Sequence, residues 1–291
     1  MRRFHVFGFD FRDFVWTFVM YGLTLTAVAM LLWPLLTVFG NGLQVLSWDF
    51  LLASPEDAGR SGGIAPILVS TLGIVLVSLT AALPLAFGVA VMLTEGFNPA
   101  GWPATILRCS LDILAGIPSV VFGLFGLSLF CRQLELGYSI LAGGLTLACM
   151  ILPTLARSLA FSLESAGVAH RAGGAALGLS KQSVLWHVLV PVALPGICAG
   201  VVLALTRALA ETAVLLFTSG YSDRMPESVL DSGRSVSVHI YDLSTNVPGG
   251  TPNAYGSALA LLLLLALLSF TVHALTRWMQ RRMTGNTTRS L

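Results

Sequence analysis

Long stretches without a charged side chain restrict this chain more than any other feature. From Phe14 to Gly40 there are 27 residues with no Asp, Glu, Lys or Arg, and from Ser61 to Thr94 there are 34. Further runs are Ile113–Cys131, Leu136–Ala156, about Val188–Gly220 (interrupted only by Arg207 and Glu211) and Leu243–Thr276, most apolar at Ala258–Phe270. A helix needs about 20 apolar residues to cross the hydrocarbon core of a bilayer. Six such runs predict an all-α, polytopic membrane bundle of six transmembrane helices. Composition agrees: 55% of residues are hydrophobic and 10% charged, against about a quarter charged in a soluble domain. So little charge cannot solvate the surface of a soluble enzyme, and it excludes a disordered chain or a nucleic-acid binder. The net charge of +2 indicates no polyanionic partner.

The first run follows Arg2 and Arg3 and contains a cleavage-like Ala27-Val28-Ala29. It continues past that motif to Leu36 and beyond, longer than the about 7–15 residues of a secretory apolar region, so a retained anchor helix is expected. With both termini in the cytoplasm, the inner segments carry Arg2, Arg3, Arg12, Arg108, Arg157, Arg171, Lys181, Arg277, Arg281, Arg282 and Arg289; the outer ones carry Arg60, Arg132, Arg224 and Arg234. That asymmetry sets the expected orientation in the cytoplasmic (inner) membrane. The organisation is then a cytoplasmic segment 1–13, a membrane domain 14–277 and a cytoplasmic tail 278–291. Outer segments Asn41–Gly63 and Tyr221–Tyr255 are long and rich in Pro and Gly, as structured extramembrane loops would be. Cys109, Cys131, Cys149 and Cys198 read as small buried hydrophobes, and the five histidines show no metal-ligand spacing.

The inner segment 161–191 carries the most information. Val168–Leu177 is Ala-rich and helical in character, Gly178 is a natural left-handed stop, and Ser180–Val190 resumes a helix before Pro191 and Pro195 open the next span. Such an elbow suits insertion into a groove on another protein, or equally an interfacial hairpin that seals the bundle. Within the fifth span Arg207 and Glu211 stand four apart, on one face of a helix. They form either a self-neutralising packing pair or a polar feature on a translocation path, Arg207 attracting an oxyanion and Glu211 orienting it. Thr212 is either a pathway hydroxyl or bonded to its own helix. Gly116 and Pro118 predict a kink or break in the third span, which would present amide donors beside Ser119. Asp112, just before it, reads as an interfacial residue of a packing kink.

These stretches resemble permease subunits of phosphate-type ABC importers, among the binding-protein-dependent inner-membrane transport components. The inner elbow is similar to their coupling loop: Gly178 takes the glycine position, and Val190-Pro191 with Leu194-Pro195 the ending. The Glu-Ala-Ala triplet of that loop falls on Ala172-Gly173-Gly174, without its glutamate. Further likeness lies in Gly62-Gly63-Ile64-Ala65-Pro66, in Leu114–Ser119 with Val121–Gly126, and in Arg207–Thr212 with Leu215–Thr218, so the resemblance covers about residues 61–221. It implies the type I ABC importer permease fold, a substrate pathway at Arg207, Glu211, Thr212 and Ser119, and an ATPase contact at Arg171, Ala172, Gly173, Gly174, Gly178 and Lys181. It also implies the partners: an ABC ATPase dimer holding ATP and Mg, a second homologous permease, and an extracytoplasmic substrate-binding protein.

The chain itself lacks a phosphate-cradling Gly-x-x-x-x-Gly-Lys-Ser/Thr; Lys181, its one lysine, follows Ser180. Nothing is therefore expected to bind here as cofactor. A stand-alone ion-coupled secondary transporter would use Asp112, Arg207 and Glu211 but leaves the elbow unexplained. A membrane-embedded enzyme would need a nucleophile–base or metal constellation near one interface; the sequence has no His-Glu-x-x-His, and its Gly59–Gly63 string (Gly-Arg-Ser-Gly-Gly) stands in an expected outer loop rather than on a strand-to-helix turn.

Overall fold

The centre of the bundle is one helix, α6 (Ile140–Ala176), whose Leu147, Ile151, Leu155, Leu159 and Leu163 recur every fourth residue and are fully buried. The computed structural model describes residues 11–98 and 101–283; the terminal segments 1–10 and 284–291 lie outside them. Along α6 runs α3 (Ala65–Val91), which ends in a π turn at Met92–Gly96. On its other side packs α8 (Val190–Ala210). Lipid supplies no hydrophobic drive between helices, so close approach through small residues holds them together. Gly196 and Gly200 of α8 provide it: a Cβ there would lie 2.4 Å from Ser162 Oγ and 2.5 Å from Ser158 Oγ of α6.

α1 (Phe11–Val45) is peripheral. It touches α11 (Thr251–Met283) around Gly42 and otherwise turns its apolar side chains outward, as a lipid-facing helix does. After it come the short α2 (Trp48–Leu52), capped by Ser47, and a ribbon pairing β1 (Pro55–Glu56) with β2 (Ser61–Gly62). Among the described residues five helices are long and apolar enough to cross a membrane, and the bent pair Trp102–Gly116 and Ser119–Gln133 makes a sixth if it is one broken span.

The third span breaks where Gly116 and Pro118 predict: α4 (Trp102–Gly116) meets α5 (Ser119–Gly126, extended by a π turn at Leu127–Gln133) at 97°. Proline disfavours helical backbone in the residue before it and has no amide to donate, so Ile117 is extended (φ −69, ψ 128) and the helix stops. Other expectations need correction. The elbow has no separate first helix, because α6 continues unbroken from the fourth span to Ala176. Its second limb, α7 (Lys181–Val184), runs through a π turn at Leu185–Leu189 straight into α8, the Val190 amide reaching back to the Leu185 carbonyl. That wider turn lies just ahead of Pro191 and Pro195, which lack amides for the regular ladder. The last span starts at Thr251 rather than Leu243, and the outer segment before it contains a buried helix, α10 (Val236–Thr245). Among the cysteines, Cys131 is buried, Cys109 is exposed, and Cys149 and Cys198 are half-buried.

Candidate functional site

The fifth span breaks where its charges lie. α8 stops at Ala210, Glu211 adopts extended backbone (φ −78, ψ 122), and α9 (Ala213–Thr218) begins after Thr212. No proline or glycine causes this. The Glu211 amide tightens onto the Ala208 carbonyl (3.3 Å), and the Glu211 carbonyl, freed from the helix, accepts from Ser237 Oγ at 2.7 Å. Ser237 belongs to α10, whose entry is fixed by Ser235 capping Val238 and by the Val236 amide donating to Thr71 Oγ1 (2.9 Å). A tertiary acceptor has replaced a helical one. Arg207 and Glu211 are thus not on one continuous helix, and no ion pair joins them among the described residues; the self-neutralising pair is excluded.

Arg207 is exposed on the flank of the bundle, its Nη1 donating to Thr154 Oγ1 at 3.3 Å. Thr154 lies 14 residues into α6, about 21 Å along its axis, within the candidate membrane span Ile140–Gly167. One turn on, Arg157 pairs with Asp112 of α4. A cavity of about 300 Å³ follows, lined by Arg108, Asp112, Arg157 and Glu164 together with Leu93 and Phe161. The flank of α6 facing α4 and α8 therefore carries both cationic and anionic groups, where a lipid-facing surface would be apolar.

The short helices that follow the two breaks pack on each other. α5 starts directly after the bend at Ile117-Pro118 and α9 directly after Glu211-Thr212; the two short helices then pack so closely that a Cβ on Gly123 would lie 2.8 Å from the Phe217 ring and 3.2 Å from the Ala213 carbonyl. Ser119 and Thr212, both half-buried, head these two helices. Interrupted membrane helices leave amide and carbonyl groups without helical partners, and such groups are tolerated only beside protein or a polar cavity.

The elbow is defined by Gly178 at φ +69, which lets the Gly178 and Leu179 amides close onto the Ala175 and Gly174 carbonyls (3.1 and 3.0 Å). Ser180 Oγ then caps α7 through the Ser183 amide. Gly174 is buried against Val184, whose Cγ2 would be 2.5 Å from an added Cβ, so glycine permits the tight return. Ala172, Gly173, Gly178 and Lys181 are exposed, as is Leu177 at 79%. Arg171 instead turns onto Glu95.

On the opposite end, Arg234 is mostly buried between Asp242 (3.3 Å), His239 and the ring of Tyr221, to whose carbonyl its Nε also donates. Burial first, and then the neighbouring Arg234 charge, push His239 down to about 4. Desolvation and the Asp242 charge raise Tyr221. This cluster ties the outer segment to α10, and so to Glu211.

Sequence reasoning singled out Arg207, Glu211, Thr212 and Ser119, but not Thr154, Arg157 as a partner of Asp112, or Ser237. Arg157 had a signal: it interrupts an apolar stretch that resumes with Ser158–Leu163. Ser237 had none, since only the folded chain brings it to Glu211.

A family model for the "Binding-protein-dependent transport system inner membrane component" matches residues 82–285. The probable ABC transporter permease protein YqgI of Bacillus subtilis is 27% identical over 92% of this chain and 96% of its own length. The phosphate transport system permease protein PstA 2 of Mycobacterium bovis is 30% identical over 86% of this chain and 83% of its own. A solved chain of the MetNI methionine ABC transporter, in an inward-facing conformation, superposes with a TM-score of 0.58 at 17% identity, covering 75% of this chain and 94% of that one; this likeness concerns the fold. With an interrupted six-span bundle of the type I importer fold and a match over more than half its length, the chain belongs to the binding-protein-dependent transport system inner membrane components, the permease subunits of ABC importers.

Proposed function

We propose that this permease carries inorganic phosphate, or a closely related oxyanion, inward past the paired breaks. The observation that carries the reading is Arg207: a guanidinium exposed on the flank of the bundle, within a candidate membrane span, held by one neutral hydroxyl. Facing lipid it would cost about 3 kcal/mol or more; facing an aqueous path shared with a second, homologous permease it stays hydrated and attracts an anion. The planar fork of arginine suits phosphate oxygens. Glu211, Thr212 and Ser119 line the same passage, and Thr154 orients Arg207. The names of relatives such as the PstA proteins favour phosphate as the cargo.

In this reading the exposed tip of the elbow, with Ala172, Gly173, Leu177, Gly178 and Lys181, seats in an ABC ATPase dimer that binds ATP and Mg. A substrate-binding protein delivers cargo to the outer segments 41–63 and 221–255, and both termini lie in the cytoplasm. ATP-driven closure of the ATPases draws the elbows together and swings α6 as a lever. The stand-alone carrier is disfavoured because it gives the elbow no task.

The test is uptake of radiolabelled phosphate into proteoliposomes holding the permease with its co-purified partners and binding protein. ATP-dependent uptake, insensitive to a collapsed proton gradient, is expected. Uptake that follows the proton gradient and ignores ATP would overturn the proposal.

A further inference from the structure

At the inner end of the bundle, Arg171 Nε donates to Glu95 Oε1 at 2.7 Å and its Nη2 lies 2.5 Å from the same oxygen. The pair is largely withdrawn from solvent, with 16% of the Glu95 and 33% of the Arg171 side chain exposed. Arg171 folds back one turn along α6, the direction helical side chains favour, and Gly167 makes room for it: a Cβ there would fall 2.1 Å from Nη1. Glu95 sits in the π turn that ends α3. The other limb of the elbow also reaches this helix, through Trp186 against Phe87 with ring centroids 5.4 Å apart. Farther out, α3 and α6 meet through small and apolar groups, Gly144 against Val77.

We infer that Glu95 and Arg171 form a transmission staple, two positioning residues that make the inner end of α3 follow the elbow when a partner ATPase moves it. The inference rests on the reading of the elbow as the ATPase contact. Separating the pair would strand a charge in a desolvated site, so the two helix ends keep together during a rigid-body motion. Both limbs of the elbow then act on α3, and the stroke spreads beyond α6 and α8. Arg171, which the sequence suggests as a docking group, serves from inside the permease.

The experiment compares ATP hydrolysis and phosphate uptake by the reconstituted complex for wild type, Glu95→Ala, Glu95→Gln, Arg171→Ala, the double alanine variant and the exchanged pair Glu95→Arg/Arg171→Glu. Uptake per ATP should fall about tenfold in each single variant, the size of a typical coupling free energy, while the ATPase still co-purifies and turns over. The double variant should be no worse than either single one, and the exchanged pair should recover most of the ratio. An unchanged ratio in Glu95→Ala and Glu95→Gln, or additive losses, overturns the staple. So does loss of the ATPase from Arg171→Ala alone, which would make Arg171 a docking group. A wild-type complex without ATP-driven uptake contradicts the importer reading itself; a normal wild type with unaltered Glu95 variants contradicts the staple alone.

Discussion

α6 and the α8–α9 segment come from similar apolar stretches and fold differently. α6 runs 37 residues without interruption, through Pro153, from the outer end of the bundle to the tip of the elbow. The α8–α9 segment, packed against it, breaks at Glu211 although neither proline nor glycine stands there. Continuity in α6 follows from its leucine stripe, buried on every fourth residue. The break in the other follows from an outside competitor, Ser237, which takes the Glu211 carbonyl. One element is continuous and the other carries a joint, and Arg207 reaches from the second to Thr154 of the first.

The contrast can be broken most severely at the contact between the two helices. Gly200→Leu would drive a side chain into Ser158, and overpacking of this kind costs about 1–3 kcal/mol or more; loss of monodisperse protein in detergent is the expected outcome. Next comes Arg207→Ala, which should lower phosphate uptake at least about tenfold, a loss of about 1.4 kcal/mol in transition-state stabilisation, while ATPase co-purification is retained. Arg207→Lys should restore only part of it. Loss of assembly instead would return Arg207 to a packing role.

These two positions also mark how far the sequence could be read. The spans, Gly178 and the interruption at Pro118 follow from local chemistry: runs without charge, a left-handed glycine, a missing amide. The break at Glu211, α10 and the Arg171–Glu95 pair do not, because each depends on residues distant in the chain. Ser237 lies 26 residues from Glu211, and Glu95 lies 76 from Arg171. Arg207 and Glu211 were visible as charges in an apolar run, yet helical periodicity suggested a pair that the break prevents. The inner elbow was foreseen as two short helices. α6 absorbs the first, since nothing between Ala156 and Ala176 stops a helix.

Smaller effects sharpen the contrast. Gly178→Ala forces a left-handed alanine, at about 1 kcal/mol; a few-fold weaker association with the ATPase is expected, and Gly178→Pro, which also removes the amide bonded to Ala175, should abolish it. Ser237→Ala should let the α8–α9 joint straighten, read as faster hydrogen exchange in α10 with folding preserved. The smallest expected change concerns His239. Its proton affinity is depressed in the folded state, to about 4 from 6.5, so the unfolded chain binds more protons between those values and stability falls as pH drops through that window. Thermal unfolding should shift downward by a few degrees from neutral pH to about 4.5, and His239→Gln should flatten that dependence.

The central claim, that the joint at Glu211-Thr212 borders an aqueous path, is tested most directly by Thr212→Cys in a complex whose Cys109, Cys131, Cys149 and Cys198 have been replaced. A membrane-impermeant thiol reagent should label this cysteine from the inner side in the absence of ATP and from the outer side when the ATPases are trapped closed. Failure to label from either side in both states would mean that the joint faces lipid or packed protein, and the path would have to lie elsewhere.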